Sequence, residues 1–248
     1  MSEPIIALCH ISFSAQNHTI VKNISYEFAQ GKTTALIGPS GGGKSTVLKL
    51  AAGLLVPAHG EVCFWGKPIA AMRRAEILDF RRQSAFVFQD SALWANQTIV
   101  QILDLPLKIH FPKMPRDDRD KRIAEVLESV GYTKDIKIRP AMLSMGEQKL
   151  VAFARAMLCE PALLYLDEWT ESLDDEGAQR LIGLVERRKE KRDTIIFVSH
   201  DMDIIKKLAD YIVIIRDGEI SSIITGAQLQ ENAALALRVE RGIAQDEI

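Results

Sequence analysis

The stretch GPSGGGKST, residues 38–46, carries the densest chemistry of the chain. It fits the pattern G-x-x-x-x-G-K-[ST] from Gly38 to Ser45, and it stands between a short apolar run, TTALI, and a helix-like run, STVLKLAAGL. Glycines let main-chain N–H groups wrap phosphate oxygens, and the dipole of the following helix adds positive potential. Gly38, Pro39, Ser40, Gly41, Gly42, Gly43 and Thr46 are therefore expected around a phosphate chain. Lys44 is expected on its outer phosphates and the Ser45 hydroxyl on Mg2+.

Three further sites could complete that chemistry. The apolar run LLYLDE ends in two carboxylates. Asp167 is expected to hold Mg2+, directly or through water, because hard cations take oxygen ligands. Glu168 is expected to accept a proton from an attacking water. FVSH sets His200 at the end of another apolar run, where it could orient water or touch a terminal phosphate, and VFQD sets Gln89 in the same way. About a hundred residues after the glycine loop, LSMGEQKLVAFARAM opens with Ser144 and Gly146 just before an apolar run of helical spacing. It reads as a second helix start suited to an anion.

The elements that must position these residues follow from hydrophobic periodicity. IIALCHISFS and IVKNISYEFA alternate as strands about the turn AQNH, and Phe13 falls on the core side of that alternation. GEVCFWGKPI reads as a hairpin after PAHG. From about residue 90 to 160 the pattern turns helical. RDDRDKRIAEVLESVGY places Ile123, Val126, Leu127 and Val130 on one face, LKIHFPKMPRDD reads as a loop, and GEQKLVAFARAML as a helix. ALLYLDE, DTIIFVSH and DYIVIIRDGEI then return as strands separated by helices such as AQRLIGLVERRKEKR, which implies a parallel α/β sheet. A helical tail is expected over 226–248, leaving 1–225 as one domain with a helical insert.

The bulk properties exclude several classes. Of 248 residues, 47% are hydrophobic and 26% charged, as in globular proteins, and a formal charge of −2 argues against a nucleic-acid surface. No apolar run approaches the roughly 18 residues of a membrane span, and the N-terminus has no export-signal pattern. Cys9, Cys63 and Cys159 are far apart in sequence with no CxxC pair, so they read as idle thiols in a reducing compartment.

The order of glycine loop, Gln89, LSMGEQ, LYLDE, SLD at 172–174 and His200 resembles the ATP-binding cassette (ABC) ATPases over roughly residues 5–222. The resemblance implies an α/β P-loop NTPase fold of the ABC type, with an antiparallel β subdomain and a helical insert bearing the signature. It implies ATP and Mg2+ as ligands, with Gln89 beside the metal and linking it to a membrane subunit. It implies a homodimer in which Ser144, Gly146 and Glu147 close over the partner's nucleotide, and in which Ser172, Leu173 and Asp174 cross the interface. The chain would then sit peripherally on the cytoplasmic face of the inner membrane, bound to integral permease subunits.

Three positions depart from the family pattern. Met145 replaces the first glycine of the usual LSGGQ or LSGGE, which is expected to slow closure. Trp169 stands where proline usually follows the glutamate. Ala15 stands where an aromatic often stacks on adenine. Finer features, HGEVCFWGKPIAAM and FVFQDSALWANQTIVQILDLPLKIH, are similar to ATPases of MCE/Mla-type phospholipid transporters, which implies phospholipid cargo and an MCE-domain partner. Apart from that resemblance, Leu93 and Trp94 are expected to pack a surface groove that any membrane subunit could fill. Two alternatives stand beside the phospholipid reading: small-molecule import, and a membrane-recruiting cassette that moves nothing.

Overall fold

The computed structural model describes residues 4–16 and 18–244. In chain order the elements are β1 (Pro4–Ala15), β2 (His18–Ala29), β3 (Thr33–Ile37), α1 (Lys44–Ala51), β4 (His59–Phe64), β5 (Lys67–Pro68) and α2 (Arg74–Gln83). There follow β6 (Ser84–Val87), α3 (Ile99–His110), α4 (Arg116–Val130), α5 (Met145–Met157), β7 (Leu163–Asp167), α6 (Asp175–Glu190) and β8 (Thr194–Val198). The last are α7 (Met202–Leu208), β9 (Tyr211–Arg216), β10 (Glu219–Thr225), α8 (Gly226–Glu231) and α9 (Ala233–Ala244). Among the described residues no helix is long and apolar enough to cross a membrane.

The chain divides into two compact units. One comprises Met1–Ile77 and Lys189–Ile248, the other Leu78–Arg188. In the first, an antiparallel sheet runs in the order β2-β1-β4-β5. Beside it, β10, β9, β3 and β8 lie in that order, with β3 parallel to both β8 and β9. Every residue of β3 and of β8 is buried, as parallel strands covered on both faces must be. That burial fixes the end of β3, and with it the start of the glycine loop. The second unit holds the parallel pair β6 and β7 together with α3, α4 and α5.

Capping chemistry sets the helix starts. Thr98 accepts from the Gln101 amide while Gln101 Oε1 accepts from the Thr98 amide, closing a reciprocal cap on α3. Gly131, at φ 77, ends α4 in the left-handed conformation glycine takes without strain.

Three expectations are corrected. Residues 107–110 of the expected loop LKIHFPKMPRDD continue α3, and 116–118 begin α4, so only 111–115 connect. α3 tolerates Pro106 because Ile102, Leu103 and Leu107 are buried and hold the turn together despite one missing donor. DYIVIIRDGEI is two antiparallel strands about Asp217–Gly218. Phe13, assigned to the core, is only half buried, because β1 is irregular on either side of it. Cys9 and Cys63, remote in sequence, lie on paired strands. In the expected turn AQNH, Asn17 lies outside the described residues, as do residues 245–248 of the expected tail.

Candidate functional site

The glycine loop leaves β3 and enters α1 in a conformation that excludes side chains. At Gly38 (φ 137) a Cβ would sit 1.9 Å from the Ile215 carbonyl oxygen, and at Gly43 (φ 98) 2.9 Å from that of Ile20. The back of the loop is thus pressed against the main chain of β9 and β2. Its other side is open: a Cβ at Gly41 would meet nothing within 4 Å. Lys44 is 6% exposed, and its ammonium donates to the carbonyls of Gly38 (2.8 Å) and Pro39 (2.6 Å), so it lies folded across the hollow. α1 starts at Gly43 without any side-chain cap. A glycine cradle, a lysine across it and an uncapped helix start fit a polyphosphate. Pro39, Ser40, Gly42, Ser45 and Thr46 all lie on this loop or the first turn of α1, where they were expected. His200, in the same unit, follows β8 and is exposed, one residue before the α7 cap Asp201.

The second unit carries the remaining residues. Asp167 is 1% exposed at the end of β7. Glu168 follows it at φ 45, a left-handed conformation that turns the chain sharply out of the strand. Gln89 lies just beyond β6, the neighbour of β7, and donates its side-chain amide to Glu171 Oε2 at 3.0 Å. Its amide oxygen and the Asp167 carboxylate, both in this unit, are hard oxygen donors of the kind Mg2+ takes.

Ser144 caps α5 as the sequence predicts. Its hydroxyl accepts from the Glu147 amide (3.3 Å), and Glu147 Oε2 accepts from the Ser144 amide (2.8 Å). Lys134 binds the same carboxylate at 2.8–3.0 Å, and these contacts, Lys134 foremost, hold Glu147 below the usual carboxylate range. Gly146 is required here: a Cβ would sit 2.8 Å from the Ser172 carbonyl oxygen. The turn containing Ser172, itself at φ 67, therefore rests on the first turn of α5, and Leu173 lies beside it. Asp174 accepts from the Gly177 amide and caps the start of α6. Met145, the departure from the family pattern, is 71% exposed. Trp169 is fully buried, and Ala15 is exposed.

Sequence reasoning missed two residues, both on α5. Lys149 is 2% exposed, and its ammonium donates to the carbonyls of Gln89 (2.5 Å), Glu168 (3.3 Å) and Phe88 (3.4 Å). One buried cation thus ties the chain after β6 to the chain after β7. Burial lowers its pKa, opposed by the carboxylates of Glu171, Asp167, Asp90 and Glu168. Arg155 donates to the carbonyls of Ala92 (2.7 Å) and Ser91 (3.1 Å), holding a turn in which both residues have positive φ. Its guanidinium lies 5.7 Å from the centroid of the Trp94 ring. The only signal available was a charge on the apolar side of a helical period. Trp94, 47% exposed, lines a groove of about 560 Å³ with Asn96, Gln97, Gln101, Leu105 and Lys108. Leu93, expected to line it too, is half buried instead.

Comparison with known proteins agrees with this geometry. A family model described as ABC transporter matches residues 21–171. The methionine import ATP-binding protein MetN of Brucella abortus is 34% identical over 221 residues, covering 89% of this chain and 59% of that protein. The sulfate/thiosulfate import ATP-binding protein CysA of Thermosynechococcus vestitus is 34% identical over 230 residues, covering 92% and 66%. The chain thus spans about 59% of the length of the MetN relative. Among solved structures, the cassette MJ0796, a dimer in a post-hydrolysis state bound to ADP and Pi, superposes with a TM-score of 0.80 at 27% identity, covering 89% of this chain and 98% of that one. cbiO1 from Clostridium perfringens, part of the cbiONQ transporter complex, gives 0.75 at 27% identity, covering 98% and 97%.

Proposed function

This chain belongs to the ABC transporter family, as an ATP-binding cassette, and on that premise we propose that it binds and hydrolyses ATP to energise a membrane transporter. The observation that carries the reading is the glycine cradle crossed by Lys44, open at Gly41 and closed behind by the main chain at Ile215. A triphosphate entering it would draw the Lys44 ammonium from the Gly38 and Pro39 carbonyls onto its outer phosphates. Ser45, Asp167 and Gln89 would hold Mg2+, which supplies positive charge to the transferring phosphoryl group. Glu168 takes the proton of the attacking water, and His200 orients that water. The water oxygen bonds to the γ-phosphorus as the bridging bond to the β-phosphate breaks, with charge met by Lys44 and loop amides.

Ser144, Gly146 and Glu147 are assigned to the nucleotide of a second copy, a reading supported by the dimeric state of the related MJ0796. Hydrolysis then waits on dimer closure. The groove at Trp94 would receive a permease subunit on the cytoplasmic face of the inner membrane. Small-solute import is favoured for the cargo, because the relatives above are named for methionine and for sulfate or thiosulfate import. A phospholipid cargo and an MCE-domain partner rest on the residue resemblance at 59–110 alone.

The test is phosphate release by the purified chain and by the chain with its co-purified membrane partner. Glu168→Gln should still bind ATP while turnover falls by about 100-fold or more, and Lys44→Ala should lose binding. Normal turnover in Glu168→Gln would overturn the catalytic assignment. Lipid analysis of the same preparation against transport of labelled solutes separates the two cargo readings.

A further inference from the structure

The antiparallel sheet places three metal-ligating side chains on one face. In the register of β1 with β4, Ala7 faces Cys63, Leu8 faces Val62 and Cys9 faces Glu61. Residues two apart on a strand share a face, so Cys63 stands on the same side as Glu61 and is the diagonal neighbour of Cys9. The two thiol sulfurs and a carboxylate oxygen lie within 4.8 Å of one another, and the Cys63 sulfur is 3.8 Å from Glu61 Oε1. This cluster is remote in the chain from every residue assigned to ATP, and the proposed hydrolysis does not use it.

We propose that Cys9, Glu61 and Cys63 form a binding site for a thiophilic divalent cation of the Zn2+ class. A tetrahedral Zn2+ with sulfur at about 2.3 Å and oxygen at about 2.1 Å needs ligand atoms roughly 3.4–3.8 Å apart. The separations present meet that after side-chain rotations that shift atoms by no more than about 1 Å. Two thiolates and a carboxylate select Zn2+ or Cd2+ over Mg2+ and Ca2+, whose preferred donors are all oxygen. Binding releases both thiol protons to solvent, and the three negative charges then face a doubly positive ion. Cys63 is buried, Cys9 half buried and Glu61 exposed, so the ion would enter from the Glu61 side. A water on that side completes four-coordination. The bound ion would pin β1 to β4.

The experiment uses the full chain, reduced, without nucleotide, so that no phosphate competes for the added metal. Titration with Cd2+ should produce a thiolate-to-metal ultraviolet charge-transfer band that saturates at one equivalent. Zn2+ should abolish that band by competition, and Mg2+ in large excess should not. Cys159→Ser should keep the band, whereas Cys9→Ser should lose it. Glu61→Gln alters an exposed residue and leaves folding intact, so it should keep an altered band with affinity weakened about tenfold or more. Absence of the band in the parent chain would overturn the proposal. So would its persistence in Cys9→Ser, or an unchanged affinity in Glu61→Gln.

Discussion

Replacing Lys149 by Met tests whether one buried cation organises the hydrolytic half of the second unit. The ammonium makes one short bond, 2.5 Å to the Gln89 carbonyl, and two long ones, 3.3 Å to Glu168 and 3.4 Å to Phe88. A charge-assisted hydrogen bond contributes about 1.5–3 kcal/mol, and each long bond about a third of that. Removal therefore costs on the order of 3–5 kcal/mol. Two effects offset it. Gln89 is exposed, so water can reach its carbonyl, and the variant no longer desolvates an ammonium. A net loss of about 2–3 kcal/mol remains, or roughly 5–10 °C in melting temperature for a domain of this size. The functional loss should be larger than the stability loss suggests, because Gln89 and Glu168 both drift: about 100-fold in turnover at saturating ATP.

ATP affinity should change less than about twofold, since Lys44 and the glycine loop are untouched, and this separates mispositioning from general damage. The measurements are thermal unfolding, equilibrium binding of a fluorescent ATP analogue, and phosphate release. Sign follows from the lowered pKa. The unfolded chain keeps the Lys149 proton to higher pH than the folded chain does. Stability of the parent relative to Lys149→Met should therefore rise as pH approaches the ordinary lysine range from below. A variant that melts with the parent and hydrolyses at the parent rate would refute the reasoning.

Gly146→Ala drives a Cβ to within 2.8 Å of the Ser172 carbonyl oxygen, so α5 or the turn must shift. Destabilisation of about 1–2 kcal/mol by urea unfolding is expected, with hydrolysis reduced by about tenfold or more. Met145 is 71% exposed, so Met145→Gly should leave stability within about 1 kcal/mol. Glu76 is held down to about 2 by Lys67 and, after it, by the Arg73 amide. Its carboxylate should titrate near there by NMR, and Lys67→Met should move the midpoint up towards the ordinary range. An ordinary midpoint in the parent would contradict the geometry. Since the folded value is depressed, what this pair adds to stability is present above the ordinary glutamate range and lost as pH falls towards 2.

The glycine loop, the paired acids at 167–168 and the Ser144 cap were legible because each is a local pattern with a local cause. A strand that is apolar throughout delivers the next residues to its end, and a capping box needs only four consecutive positions. Lys149 was not legible beyond a charge on the apolar side of a helical period, since its partners lie 61, 60 and 19 residues away in sequence. The pairing of Cys9 with Glu61 depends on the register of β1 against β4, which the bulged, irregular β1 hides from any count along the chain. The loop read over 107–118 was too long for the opposite reason. The burial of Ile102, Leu103 and Leu107 carries α3 through Pro106 and on to His110.

α5 runs 13 residues, a rod of about 20 Å. At its head stands Ser144 with the turn of Ser172 against Gly146, at its waist Lys149 grips Gln89 and Glu168, and near its foot Arg155 holds the turn under Trp94. The three stations share one stiff shaft, with no proline within it to bend. A push on the Trp94 turn that slides the shaft along its axis must move the grip at its waist and the cap at its head by the same amount. Mechanical work applied at the groove therefore reaches Ser144 along this one helix, once Arg155 has taken it up from the Trp94 turn.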